Sequence, residues 1–173
     1  MNLILSNIVR FISLILVQVF LVNQIDLGFM NSYLSVVVYL SFLLTFPTKV
    51  SKYLTMIVAL VLGITIDMFL NTSGIHASAC LFLALVRPVL LRRIQTANPL
   101  ENVQELTVYT EDIQKYALYT FLLVGSFFFW LFLMEEFSFL ALPIIILKTL
   151  FSTIVSTILI LTGQYLLFGK PKN

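Results

Sequence analysis

Residues 60–88 read LVLGITIDMFLNTSGIHASACLFLALVRP: two apolar runs joined by the polar break Asn71-Thr72-Ser73-Gly74, with Asp67 before the break and the only histidine, His76, just after it. Each run is long enough to enter a membrane, and an ionisable residue near such a run is costly to dehydrate unless a partner compensates it. The surrounding chain is of the same kind. Of 173 residues, 60% are hydrophobic and 10% charged, with a mean hydropathy of +1.05, whereas soluble domains carry roughly 25% charged residues. The composition is that of an integral membrane protein.

Six apolar segments follow from the pattern, at 4–22, 29–46, 53–70, 75–91, 116–134 and 140–168, in a single membrane domain covering 1–173. A helix of about 20 residues crosses the hydrocarbon core; the second segment reaches that length only if Phe29 to Ser32 belong to it. Alternating the loops between two sides places Arg10, Lys49, Lys52, Arg92, Arg93, Lys115, Lys170 and Lys172 on one face. The other face holds Asp26, the Asn71 to Gly74 turn and Glu135-Glu136. The positive-inside rule then gives cytoplasmic N and C termini. The expected fold is an all-α polytopic membrane protein of about six transmembrane helices.

The connection 92–115 is the longest and is cytoplasmic in this topology. Within it Asn98-Pro99-Leu100-Glu101 has the form of a helix start, and Thr110-Glu111-Asp112 that of an N-terminal cap on the fifth helix. It reads as a solvated loop with helix caps or as a docking surface for a cytoplasmic partner. The first apolar run follows Arg10, and the downstream Asn23-Gln24-Ile25-Asp26 lacks a small-x-small cleavage pattern, so it is read as a retained helix.

Several classes of function are disfavoured by what the chain contains. One cysteine, Cys80, allows no intrachain disulfide, no Cys/His cluster offers a metal site, and a net charge of +2 is too small to favour nucleic acid. With one histidine and no Gly-x-Ser-x-Gly or HExxH motif, a hydrolase or phosphotransferase would lack a base, a nucleophile activator and a metal site, so an enzyme and a cofactor are not expected.

The candidate residues are read as structural or partner-binding: Asp67, Gly74, His76, Arg87, Lys148, Ser152, Thr153 and Ser156, with substrate, ion or proton handling the alternative for Asp67, His76 and Lys148. Asp67, His76 and Lys148 fall at similar depth toward the outer side, which permits an Asp67–Lys148 pair. Alternatively Asp67 sits in the interface, Lys148 snorkels outward and His76 caps its helix. Lys148, Thr149, Ser152, Thr153, Ser156 and Thr157 recur at spacings of three and four, a small-residue packing stripe that Gly63 matches on the third helix. Arg87-Pro88 with Arg92-Arg93 reads as a snorkelling anchor at the cytoplasmic interface, able to meet anionic membrane lipid. Pro88 is expected to loosen the last turn. Phe127 to Trp130 read as packing or lipid-facing bulk.

These residues carry a resemblance. The chain resembles the rod shape-determining protein MreD family through Gly63 to Asp67 with Phe69, Asn71 to Ala77 and Arg87-Pro88. The likeness extends over nearly the whole length through Asn7, Arg10-Phe11, Gln18, Phe46-Pro47, Glu135 with Phe137 to Phe139, Ser152-Thr153 and Gln164 to Leu166. It departs from that family at Ser32, where Pro is usual, and at Phe127-Phe128, where polar residues are common. The resemblance implies a non-enzymatic scaffold in the bacterial inner membrane that binds MreC and, through it, MreB, RodA and penicillin-binding protein 2. It also implies a fold similar to the substrate-binding membrane subunits of energy-coupling-factor vitamin transporters, so a small-molecule binding subunit is the alternative.

Overall fold

The computed structural model describes residues 3–20, 22, 34–48, 50–94 and 113–167. The regular structure among them is helical with no strand: α1 (Leu3–Phe20), α2 (Leu40–Thr45), α3 (Lys52–Leu70), α4 (Ile75–Ile94), α5 (Ile113–Glu136) and α6 (Leu142–Leu167), the last preceded by a 3₁₀ turn at Phe139–Ala141. Four of them, over Lys52–Leu70, Ile75–Arg93, Ile113–Glu136 and Leu142–Leu166, are long and apolar enough to cross a membrane. The expectations placed on 95–112, the helix start at Asn98 and the cap at Thr110 to Asp112, lie outside the described residues.

Consecutive helices pair as hairpins, α3 with α4, α4 with α5 and α5 with α6. Their shared core is apolar and aromatic, including Leu62, Ile66, Leu83, Leu123, Phe127 and Phe128, all fully buried. The outward faces carry Ile57, Ile64, Met68, Leu118, Leu150, Phe151 and Ile158, exposed as a hydrocarbon solvent allows. Phe127 and Phe128 belong to the core rather than to the lipid face. Phe127 meets the Tyr39 ring edge-on at 6.2 Å.

The second segment departs from expectation. A helix was expected over 29–46, but residues 34–38 are not helical and α2 spans only six residues. Val36-Val37-Val38 provides part of the reason, because β-branched side chains lose rotamer freedom in a helix and suit an extended chain. Tertiary hydrogen bonds, described below, provide the rest. The other five helices start and end within a few residues of their expected bounds, and α4 runs through Pro88 to Ile94.

Candidate functional site

The α3–α4 hairpin is built around Asp67. At the end of α3, Asn71 adopts a left-handed conformation, φ 55°, and Gly74 follows with φ 83°. A side chain at Gly74 would have open space around it, so that glycine answers to the backbone conformation alone. The reversal returns α4 directly over Asp67. Its Oδ1 accepts from the His76 N–H at 3.1 Å and from the Thr72 hydroxyl, and its Oδ2 accepts from the Ala77 N–H at 2.8 Å. The carboxylate thus satisfies the first amides of α4, where unpaired N–H groups and the helix dipole favour an anion. At 6% exposure it is buried.

Close approach of the two helices depends on Gly63. A Cβ there would stand 2.4 Å from the Ala77 Cα and 2.8 Å from the His76 carbonyl oxygen, distances that no side chain tolerates. Gly63 therefore serves the packing role read for it.

Lys148 does not join Asp67. Its Nζ lies 2.7 Å from Glu136 Oε1 at the end of the preceding helix and 5.8 Å from the centre of the Phe132 ring. The expected Asp67–Lys148 pair is replaced by two separate solutions. Both Asp67 oxygens are occupied by α4 and Thr72, while Glu136 is the acid that the α5–α6 hairpin brings beside Lys148. His76 neither pairs with Lys148 nor caps its helix through its ring; its Nδ1 is hydrogen-bonded to the Tyr39 hydroxyl at 2.9 Å.

The serines of α6 have a more specific task than packing. Ser152 Oγ accepts from the Ser35 N–H at 3.0 Å, and Ser156 Oγ from the Val37 N–H at 3.1 Å. Four residues of helix advance about 6 Å, so two residues of residues 34–38 cover about 3 Å each, which is the rise of an extended chain. On the other side, Gln18 of α1 donates from Nε2 to the Val36 carbonyl at 2.9 Å and accepts at Oε1 from the Val38 N–H at 2.7 Å. Its amide stands in for a neighbouring peptide group. Non-helical backbone at membrane depth is tolerated only where it is enclosed by protein and its polar groups are met, and these three side chains meet the amides of Ser35, Val37 and Val38 and the carbonyl of Val36.

Thr153 lies on the adjoining ridge and points elsewhere. Its methyl group lies 3.6 Å from where a Gly125 side chain would begin, so it packs on α5, and its hydroxyl makes no hydrogen bond. The small-residue stripe of α6 therefore divides: Ser152 and Ser156 hold residues 34–38, and Thr153 packs on α5.

At the opposite end, Arg87 contradicts the snorkelling expectation. It is 4% exposed, donates from Nε to the Tyr119 hydroxyl at 3.3 Å and from Nη2 to the Phe46 carbonyl. The guanidinium turns inward because the end of α2 offers a carbonyl with no helical donor, and a cation is favoured there. Arg92 and Arg93 remain exposed. Nearby, the Tyr116 hydroxyl donates to Gln164 Oε1 at 2.7 Å, and Gln164 Nε2 donates to Ser41 Oγ at 3.0 Å, tying α5, α6 and α2 together.

Gln18, Tyr39 and Gln164 were not singled out as site residues from the sequence. The available signal was an uncharged amide in each of two apolar runs, which hydrocarbon tolerates only when it is bonded. An open cleft of about 320 Å³ beside the hairpin is lined by Ile64, Asp67, Met68, Asn71, Thr72 and Gly74. Among the described residues no group of three or more His, Cys, Asp or Glu could hold a metal ion. Comparison with protein-family models, with curated proteins and with solved structures returns no match.

Proposed function

We propose that this chain is a non-enzymatic scaffold of the bacterial cell-elongation machinery. In this reading it lies in the inner membrane with both termini cytoplasmic. It binds MreC and, through it, links MreB to RodA and penicillin-binding protein 2. The reading starts from the resemblance carried by Gly63 to Ala77 and Arg87-Pro88. The observation that supports it is the use made of the buried polar residues: Gln18, Asp67, Ser152 and Ser156 each bond backbone groups of another part of the chain. Such residues build a defined shape for partners to recognise. Depletion in a rod-shaped host tests it: cells should round or widen and lateral wall synthesis should lose its directed motion, and unchanged rods would refute it.

A small-molecule binding subunit is the second reading, favoured by the cleft beside Asp67. A ligand there would have to compete for a carboxylate whose two oxygens already accept from Thr72, His76 and Ala77. Ligand pockets also converge several polar groups on an enclosed volume, and this cleft is open on its Met68 side. A stoichiometric small molecule copurifying with the protein would favour this reading over the scaffold.

A further inference from the structure

We propose that the tip joining α5 to α6, residues 137–140, is the docking point for a partner protein on the outer side of the membrane, one that offers an apolar pocket rimmed by a lysine or arginine. The inference deepens the scaffold reading and takes its topology from it. Three observations carry it.

Phe137 is placed against its own conformational preference. Its N–H donates to the Leu133 carbonyl at 3.1 Å, which puts it at the position just past α5 where the chain turns left-handed, φ 44°. Glycine commonly fills that position, because a Cβ there crowds the following carbonyl oxygen. The other left-handed residues among those described are Asn71 and Gly74, types that adopt the conformation at little cost. A phenylalanine is the outlier.

Packing within the chain does not explain it. Phe137 is 85% exposed and Leu140, in the 3₁₀ turn, is 95% exposed, the two most exposed large apolar side chains among the described residues. The apolar residues on the shafts of α3 to α6 have hydrocarbon to cover them. The tip stands at the end of the shaft: the 24 residues of α5 make about 36 Å of helix against a hydrocarbon core of about 30 Å, and its last turn carries Glu135 and Glu136.

Charge selects the occupant. Lys148 pairs with Glu136 at 2.7 Å, whereas Glu135 is exposed and has no ion pair among the described residues. Segments that lie on a lipid surface combine apolar side chains with Lys or Arg, which anionic headgroups attract. Here an unpaired acid stands beside the apolar tip, and such a surface repels it. A protein pocket that buries Phe137 and Leu140 and turns a cation toward Glu135 meets the apolar and the charged feature together.

Two measurements test the proposal. In the purified full chain in lipid nanodiscs, Phe137→Gly should resist unfolding as well as the wild type or better, since it removes an unfavourable conformation and no core contact; a loss of resistance would show that Phe137 serves the fold and overturn the proposal. In the host, the photo-cross-linker p-benzoyl-phenylalanine placed at Leu140 should form an adduct with a protein at an apolar site beside a lysine or arginine. Its yield should fall tenfold or more with Glu135→Lys and return when the charge of that lysine or arginine is reversed. Adducts with lipid alone, or a protein adduct indifferent to Glu135→Lys, would overturn the proposal. A charge-dependent adduct with a protein outside wall synthesis would uphold it and overturn the scaffold reading, whereas copurification of the wall synthases with no adduct at Leu140 would overturn this proposal alone.

Discussion

Asp67 behaves as a capping group delivered from the helix before the one it caps, and its replacement reads out that role. Asp67→Asn keeps the shape but loses the anionic acceptor, and should destabilise the folded protein by about 1–2 kcal/mol, the usual range for loss of a helix cap. Unfolding in bicelles by steric trapping would measure it. Because Lys148 pairs with Glu136 instead, Asp67→Asn and Lys148→Met should add to within about 0.5 kcal/mol, while Glu136→Gln and Lys148→Met should couple. Coupling in the first pair would restore the Asp67–Lys148 bridge. The glycines give a second contrast at this scale. Gly63→Ala forces a methyl group into the α4 backbone and should cost about 1–3 kcal/mol, as overpacking does. Gly163→Ala, where a Cβ would meet nothing within 4 Å, should be neutral or mildly stabilising. Equal effects at the two glycines would remove the close α3–α4 approach from the account.

Between elements, Gln18, Ser152 and Ser156 bond backbone groups of residues 35–38, while Gln164 joins side chains of α5 and α2. Gln164→Leu unpairs the Tyr116 hydroxyl and Ser41 together, so it should destabilise by about 1–3 kcal/mol, more than an exposed polar substitution. Protease resistance in detergent would report the loss. Much of the element layout was legible beforehand. Five helices follow from runs of apolar residues, and the α3–α4 hairpin from Asn71 to Gly74 between two such runs. The extended residues 34–38 were not legible, because hydropathy measures how greasy a segment is and not whether its amides bond within the segment. Their holding residues were visible only in part: Ser152 and Ser156 stood out as small residues, but which face they turn to which neighbour depends on the fold. Arg87 was misplaced for a related reason. Beside Arg92 and Arg93 it looks like an interfacial cation, and only the carbonyl end of α2, absent from its own stretch of sequence, draws it inward.

At the scale of the molecule, four long apolar helices with apolar outward faces agree with a membrane-embedded helical protein, and Gln18, Asp67, Ser152 and Ser156 in its interior bond its own backbone. Arg87 couples three helices through Phe46 and Tyr119. Arg87→Lys has one ammonium to meet acceptors that the guanidinium reaches with two nitrogens. It should lower the folded yield in the membrane severalfold without altering insertion. The central claim concerns what this fold is for. The most direct measurement is affinity purification of the tagged full chain from its host in a gentle detergent, with identification of the proteins retained. The account predicts a bitopic MreC-like partner together with a wall synthase pair of the RodA and penicillin-binding protein 2 type. Recovery of a transporter ATPase in their place would contradict it.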